Sequence, residues 1–366
     1  MGLLRVASAM SLCALAFAVQ AEQLPIEVLS AVVKDPKIAG AQVLLQKNAE
    51  SLLIIKKAGY SNLVSKYPCK GLTYAISPVM QSLDGMRVVL TWGKTPEDLD
   101  SHLVYPGNHI YYEVKEGLNA DLDVDDTASF GPETVTLEKK RFCEAYVYAV
   151  HDYSNIGNPT APELSNSQAK VFVYVGQSLV RTYYVPQQQV DNLWKVFRIT
   201  RAGELQDINS VAGANVDSDN LGALLQPLQY DTQLLQVQTV SPAAQNAAKA
   251  LNLKGEAAYH SNNLEQAIDF YRQAIELNNT YGQAHSNLGL AYQKAGRTAE
   301  AIWANRKAIA LASGATAATV RTSSYYNIAR IYEAAGQLDD ALVQYQLAKQ
   351  QKANPVYDKA IERLSK

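Results

Sequence analysis

The sequence lacks most of the signatures that carry chemistry. It has 3 cysteines and 5 histidines, and it contains no HExxH helix, nucleophile elbow, paired-cysteine ligand motif or phosphate-cradling glycine loop. Each of those chemistries needs its residue types at a fixed spacing, so the case for an enzyme is thin. Charge of one sign is lacking too. With 33 basic against 35 acidic side chains and no lysine- or arginine-rich run, nothing suggests a nucleic-acid partner or a strong attraction to a membrane surface. Beyond the N-terminus no run is long and apolar enough to span a bilayer, so no transmembrane segment is expected in the mature chain.

What is present begins with residues 1–21. Arg5 supplies a short positive region, Val6 to Val19 is nearly all apolar or small, and Val19-Gln20-Ala21 fits a cleavage site. This predicts a cleaved secretory signal, a mature start at Glu22, and a periplasmic or secreted protein. Leu12 stands before Cys13 where a lipoprotein anchor would want a small residue. Cleavage leaves Cys69 and Cys143, an even pair in an oxidising compartment, which reads as one disulfide. Two buried thiols that never meet are the alternative.

The apolar pattern changes period along the chain. From about residue 38 to 200, short β-branched and aromatic runs such as "SLLIIKK", "MRVVLTW", "CEAYVYAV", "KVFVYVG" and "LWKVFRI" alternate with polar, Gly or Pro breaks. Ten such strands without a long helix between them predict an antiparallel β-sandwich. A small leading β-region over 22–83 is separated from a main sandwich over 84–200. Residues 201–245, rich in Gln, Asn, Ser, Gly and isolated leucines, read as a linker that docks in part on a neighbouring domain. Residues 246–366 are helical and repetitive. The fold class is thus α+β multidomain, an antiparallel β-sandwich region followed by an all-α array.

Ala267, Ala301 and Ala341 hold equivalent places in "EQAIDFYRQAIEL", "AEAIWANRKAIAL" and "DDALVQYQLAKQQ", and Ala274, Ala308 and Ala348 follow seven positions on. These residues resemble the tetratricopeptide repeat, a helix-turn-helix unit of about 34 residues. "NLGLAYQKAGRTAEAI" matches it best. The third repeat is displaced by the insertion "SGATAATVRTS", which predicts a longer loop before it. Three repeats and a capping helix near Val356 to Leu364 would complete the array. The resemblance implies a protein or peptide partner in a concave groove, with Asn287 and Asn327 at its ligand-touching asparagine positions. Asn252 and Ser286 stand where a lysine would help clamp a terminal carboxylate, which argues against that mode.

A second resemblance runs through "RVVLTWGKTPEDLDSHLVYPG", "LDVDDTASFGPETVTL" and "YVYAVHDYS". Together they are similar to the YfaP-like family of exported bacterial β-domains, whose biochemical role is uncharacterised. Chemistry there rests on the residues themselves. In an extended strand Asp98, Asp100 and His102 share one face, as do Asp121, Asp123 and Asp125, and His151 ends a third strand. Like charges on one face repel unless a cation, hydrogen bonds or water compensates. The oxygen-rich set suits one divalent cation such as Ca²⁺, whereas the histidines favour zinc or a transition metal. A helix-loop-helix calcium loop is rejected, since Asp126 replaces its turn glycine and Pro132 its bidentate glutamate. An acidic, hydrogen-bonded strand end remains the plain alternative. Tyr105, Tyr111 and Tyr112 could line a sugar site or simply pack. Two functions follow: an exported envelope adaptor binding proteins through its repeats, or a metal-dependent carbohydrate-binding or hydrolytic module.

Overall fold

The computed structural model describes residues 28–30, 33–37, 41–46, 52–61, 63–66, 74–141, 144–176, 178–230 and 240–365. The signal-like residues 1–21 and the expected Cys69–Cys143 bridge lie outside the described residues.

The leading region forms β1 (Val28–Ser30), β2 (Val33–Lys37), β3 (Gln42–Gln46), β4 (Leu52–Lys56), β5 (Leu63–Lys66) and β6 (Tyr74–Ile76). β3, β4 and β5 make an antiparallel sheet, whereas β1 lies between antiparallel β2 and parallel β6. Val43, Ile55, Leu63 and Ile76 pack on Val89, Phe172 and Tyr174 of the next layer, so this region shares a core with the sandwich.

The sandwich follows as β7 (Met86–Thr91), β8 (Asp100–Tyr105), β9 (Asn108–Ile110), β10 (Glu116–Gly117), β11 (Ala120–Val124), β12 (Glu133–Leu137) and β13 (Tyr146–His151). A one-turn helix α1 (Glu163–Asn166) precedes β14 (Lys170–Val175), β15 (Ser178–Tyr184), β16 (Leu193–Ile199) and β17 (Leu205–Ala212). One sheet runs β10-β11-β12-β7-β14-β15 and the other β17-β16-β13-β8-β9, each antiparallel throughout. Period-2 alternation sends Val88, Leu90, Leu103, Tyr148, Val173 and Phe197 into the space between them.

The expected linker over 201–245 is corrected at its first half. Residues 205–212 are β17, paired along β16, and α2 (Ser218–Leu225) with the 3-10 turn Gln226–Gln229 lies over the outer side of the second sheet. Leu221 and Leu225 bury there against Val104, Val147, Ala149 and Leu193. The isolated leucines that read as linker are the anchors of a cover.

The array consists of α3 (Pro242–His260), α4 (Leu264–Leu277), α5 (Gly282–Lys294), α6 (Thr298–Leu311), α7 (Ala317–Ala334), α8 (Leu338–Gln351) and α9 (Pro355–Leu364). Ser241 caps α3 by accepting from the Ala244 N–H, with Pro242 at the first turn. Ala267, Ala274, Ala301, Ala308, Ala341 and Ala348 are fully buried, because helices crossing at close range leave no room for a longer side chain. The insertion before the third repeat does not form the expected longer loop. After a 3-10 turn at Gly314–Thr316 its Ala-rich residues extend α7 to 18 residues, against 13 in α5.

The sandwich and array are docked. The Arg306 guanidinium reaches Asp84 Oδ1 at 2.6 Å, Tyr332 donates to the same carboxylate at 2.8 Å, and Lys307 pairs with Glu204 at 2.7 Å. Ser178 donates to Glu300 at 2.9 Å. Among the described residues no helix is long and apolar enough to cross a membrane.

Candidate functional site

The sequence-derived acidic residues separate into three places. Asp100 opens β8 beyond the point where β9 has stopped pairing with it, since the β8–β9 register runs only from Leu103 to Tyr105. The Ser101 N–H therefore lacks a strand partner on that side, and Glu133 Oε2 accepts it at 2.5 Å. Ser101 Oγ is hydrogen-bonded to the Tyr148 hydroxyl at 2.7 Å, which locks the strand edge against the core. Asp125 arrives from the other sheet, just past β11. There the β11–β12 register shifts between Leu122 and Val124, interrupting the regular alternation. Asp100, Asp125 and Glu133 each bring one carboxylate oxygen within 4.8 Å of the others.

Asp121 and Asp123 do not join them. Asp123 accepts from the Thr136 hydroxyl beside the Arg87 guanidinium, and Arg87 in turn donates to Thr136 at 2.9 Å. Asp121 pairs in register with Thr136 on the same outer surface. Burial raises the Asp123 carboxyl, while the Thr136 bond and the Arg87 charge oppose it. Asp98 sits in the loop before β8, with its backbone N–H on Ser154 Oγ at 2.9 Å.

Glu133 was the residue that sequence reading missed. Gly131 positions it: φ is +73°, and a Cβ there would stand 2.7 Å from the Trp92 ring. Glycine lets the chain turn tightly over Trp92 and enter β12 with Glu133 inside. The signal was in "FGPET", an acid immediately after a Gly-Pro turn, but one acid far along the chain from Asp100 carries no pairing information.

The electrostatics of this trio are unusual. Glu133 and Asp100 are both essentially fully buried, and neither Glu133 Oε1 nor Asp100 Oδ2 has a hydrogen-bond partner. Burial, then the Asp98 and Asp125 charges, pushes the Asp100 carboxyl up to about 8. Burial and then the Asp100 charge hold the Glu133 carboxyl well above the usual range. Lys115 meets Asp125 Oδ2 at 2.7 Å, on the side open to solvent.

The histidines form a separate group. His102 and His109 are joined Nδ1 to Nε2 at 2.9 Å, and Tyr111 stacks 4.4 Å from His109. The His102 and His151 ring centroids stand 6.0 Å apart. Burial first, then the neighbouring His109 and His151, holds His102 far below its ordinary value, and burial lowers His151 to about 4. Neutral rings under a cover are a packed layer. α2 packs beside these rings, since a Cβ at Gly222 would stand 2.8 Å from His109 Nδ1. Of the tyrosines, Tyr105 is core, stacked on Tyr146 at 4.8 Å, while Tyr111 donates to Asp219 on α2.

In the array, α3, α5 and α7 carry a polar ladder from repeat to repeat. Asn287 donates to Asn252 Oδ1 at 3.0 Å and to Glu256 at 2.9 Å, and it accepts from Gln283 at 2.9 Å. Ser324 donates to Ser286 at 3.2 Å, and Asn327 to Asn305 at 3.3 Å. Both groove asparagines are thus largely buried, and their amides hold neighbouring helices together. A partner would meet the half-buried rim of this ladder, Glu256 and Gln283, first.

No curated protein matches the chain. Among solved structures, the Arabidopsis OM64 TPR domain is 21% identical, covering 33% of this chain and 97% of its own, at a TM-score of 0.31. The N-terminal domain of stress-induced protein-1 from C. elegans is 23% identical, covering 34% and 100%, at a TM-score of 0.33. The first TPR of Spaghetti (RPAP3), bound to an HSP90 peptide, is 20% identical, covering 33% and 92%, at a TM-score of 0.30. Residues 255–296 match the family model described as TPR repeat, and residues 322–355 match that described as Tetratricopeptide repeat, so the helical segment carries tetratricopeptide repeats.

Proposed function

We propose that this protein is an exported, periplasmic adaptor that holds other cell-envelope proteins on its helical repeats, with a YfaP-like β-sandwich as the docked companion domain. The observation that carries this reading is the pair of tetratricopeptide matches on either side of α6, within one helical array. Stacked repeats of this kind make an extended surface suited to a protein segment. The signal-like residues 1–21 support export. The resemblance of the sandwich sequence supports the companion domain.

Placement of the rim residues supports a groove on the α3, α5 and α7 side. The sandwich occupies α6 through Glu300, Arg306 and Lys307 and also reaches Tyr332 near the end of α7, so the free stretch lies toward α3 and α5. The test places a photo-crosslinking residue in the full chain at Glu256 or Gln283, with Leu118 and Val190 on the sandwich as exposed controls. Envelope-protein crosslinks confined to Glu256 and Gln283 are expected. Equal yield at all four positions sinks the assignment. Fractionation with N-terminal sequencing tests export, and a mature chain that still begins at Met1 refutes it.

A further inference from the structure

We infer that Asp100, Asp125 and Glu133 form a Ca²⁺ site that staples the two sheets of the sandwich together at one end. Asp100 belongs to the sheet of β8, and Asp125 and Glu133 belong to the sheet of β11 and β12, so one ion would add to the Ser101–Glu133 hydrogen bond that already crosses between the layers.

Three observations carry this beyond a cluster of acids. Two of the carboxylates are inside the protein: Glu133 is 0% exposed and Asp100 is 2% exposed. Glu133 Oε1 and Asp100 Oδ2 lack any hydrogen-bond donor, and an acceptor buried without a donor is costly. The donor atoms lie within 4.8 Å of one another, the span that two oxygens on opposite sides of one Ca²⁺ cover at about 2.4 Å each. Among the described residues no basic side chain pairs with Asp100 or Glu133 in the way that Lys115 meets Asp125 from the solvent side. All three donors are oxygens, which favours a hard cation over zinc. Mg²⁺ is disfavoured, because it demands a tighter octahedron near 2.1 Å and gives up its waters reluctantly. Glu133 also has a second task, accepting from the Ser101 N–H through Oε2, which leaves Oε1 for the ion and fixes its direction.

This site is independent of the repeats, and its test does not depend on partner capture. The full chain, stripped with EDTA, is titrated with Ca²⁺, Mg²⁺ and Zn²⁺ by calorimetry, and native mass spectrometry counts the ions bound. Thermal unfolding is followed in parallel for the parent, Asp100→Asn, Glu133→Gln and Asp123→Asn. The expected result is one Ca²⁺ per chain with a dissociation constant of about 0.1 mM or tighter and a raised unfolding temperature. Glu133→Gln keeps an acceptor for Ser101. It and Asp100→Asn are expected to weaken Ca²⁺ by about tenfold or more, since affinity follows the ligand charge. In EDTA both should unfold at or above the parent temperature, which shows that the fold survives. Asp123→Asn, outside the trio, should bind as the parent does. The inference is overturned if the parent binds no Ca²⁺ at about 1 mM, if Zn²⁺ alone binds, or if Asp100→Asn and Glu133→Gln bind Ca²⁺ as the parent does.

Discussion

The buried asparagines of the array and the buried acids and histidines at one end of the sandwich are satisfied to different degrees. In the array the buried asparagines find one another: Asn287 meets Asn252, Asn327 meets Asn305, and Asn305 itself donates to the Ala301 carbonyl at 2.8 Å. In the sandwich Asp100, Glu133, His102 and His151 are buried with ring nitrogens or carboxylate oxygens that no donor or acceptor reaches. Asn287 and Asn327 hold the same repeat position, and each finds an amide acceptor on a neighbouring helix, Asn252 on α3 and Asn305 on α6. A sandwich edge has no such symmetry, and acids from two sheets converge there with the Ser101 N–H as donor to Glu133 and Lys115 as partner to Asp125. The array is self-sufficient in its hydrogen bonding at these positions, and the sandwich end is the place that asks for an outside partner.

The two regions meet at Asp84, and breaking that contact gives the largest expected effect. Asp84 Oδ1 receives both Arg306 and Tyr332, so Asp84→Ala strands a guanidinium and a hydroxyl in a mostly buried interface. Removing one partner of such a pair costs about 3 kcal/mol. Calorimetry of Asp84→Ala should show the unfolding of sandwich and array separating into two transitions. One unsplit transition at the parent temperature would mean that apolar packing alone joins them.

A second substitution tests the array ladder from inside. At Gly289 a Cβ would come within 2.3 Å of Asn305 Nδ2, and Asn305 is fully buried between α5, α6 and α7. Gly289→Ala gains about 1 kcal/mol of helix propensity but forces Asn305 off both of its partners. Overpacking of this kind costs about 1–3 kcal/mol, so the net loss is up to about 2 kcal/mol. Urea unfolding followed by helical circular dichroism reads it. A midpoint at or above the parent's would show that Asn305 swings aside without loss.

How much of this was legible follows the same contrast. The strand runs and the alanine spacing announced themselves, because a period of two or a repeat of fixed length is written many times over. "LTW" and "GPET" did not announce that Trp92 and Glu133 would be brought together, since the chain turns there through successive positive φ angles at Phe130 and Gly131. Asp121, Asp123 and Asp125 read as one face, but the register shift near Leu122 breaks the alternation and only Asp125 joins Asp100. The polar stretch after residue 200 hid β17 and α2, because Leu205, Leu221 and Leu225 are too far apart to show a period. Asn287 and Asn327 were found by family position, whereas their use as ties between helices depends on Asn252 and Asn305 on other helices.

Acid sharpens the comparison at the next scale down. Burial, and second the Lys307 charge, lowers His285 on α5 to about 3, and its Nε2 faces the Asn279 carbonyl at 3.3 Å. A histidine with a depressed folded value contributes stability that is present above its unfolded value of about 6.5 and is lost as pH falls toward the folded one. The parent array should therefore weaken between about pH 6.5 and pH 4, with a slope of up to about 1.4 kcal/mol per pH unit from this group. The sandwich histidines titrate in the same sense. The difference between parent and His285→Gln isolates the array, and equal slopes would exclude His285 as a source.

The smallest effect comes from an ion pair of the same length as the largest. Lys349 Nζ and Asp358 Oδ1 are 2.6 Å apart, as are Arg306 and Asp84, but both side chains of the first pair are about half exposed, at 51% and 50%. Distance sets the Coulomb energy only after the dielectric is known, and water on three sides leaves little of it. The exposed pair ties α8 to the capping α9 at a gain of about 0.5 kcal/mol or less, part of which is lost in ordering two long side chains. Lys349→Ala should move the urea midpoint of the array by no more than this. In about 0.5 M salt parent and variant should be indistinguishable, since screening removes what remains. A loss near that of Asp84→Ala would mean that α9 is held by this pair and not by Tyr357 and Ala360, the residues it buries against the array core. Equal distances with unequal effects would then require a cause other than burial.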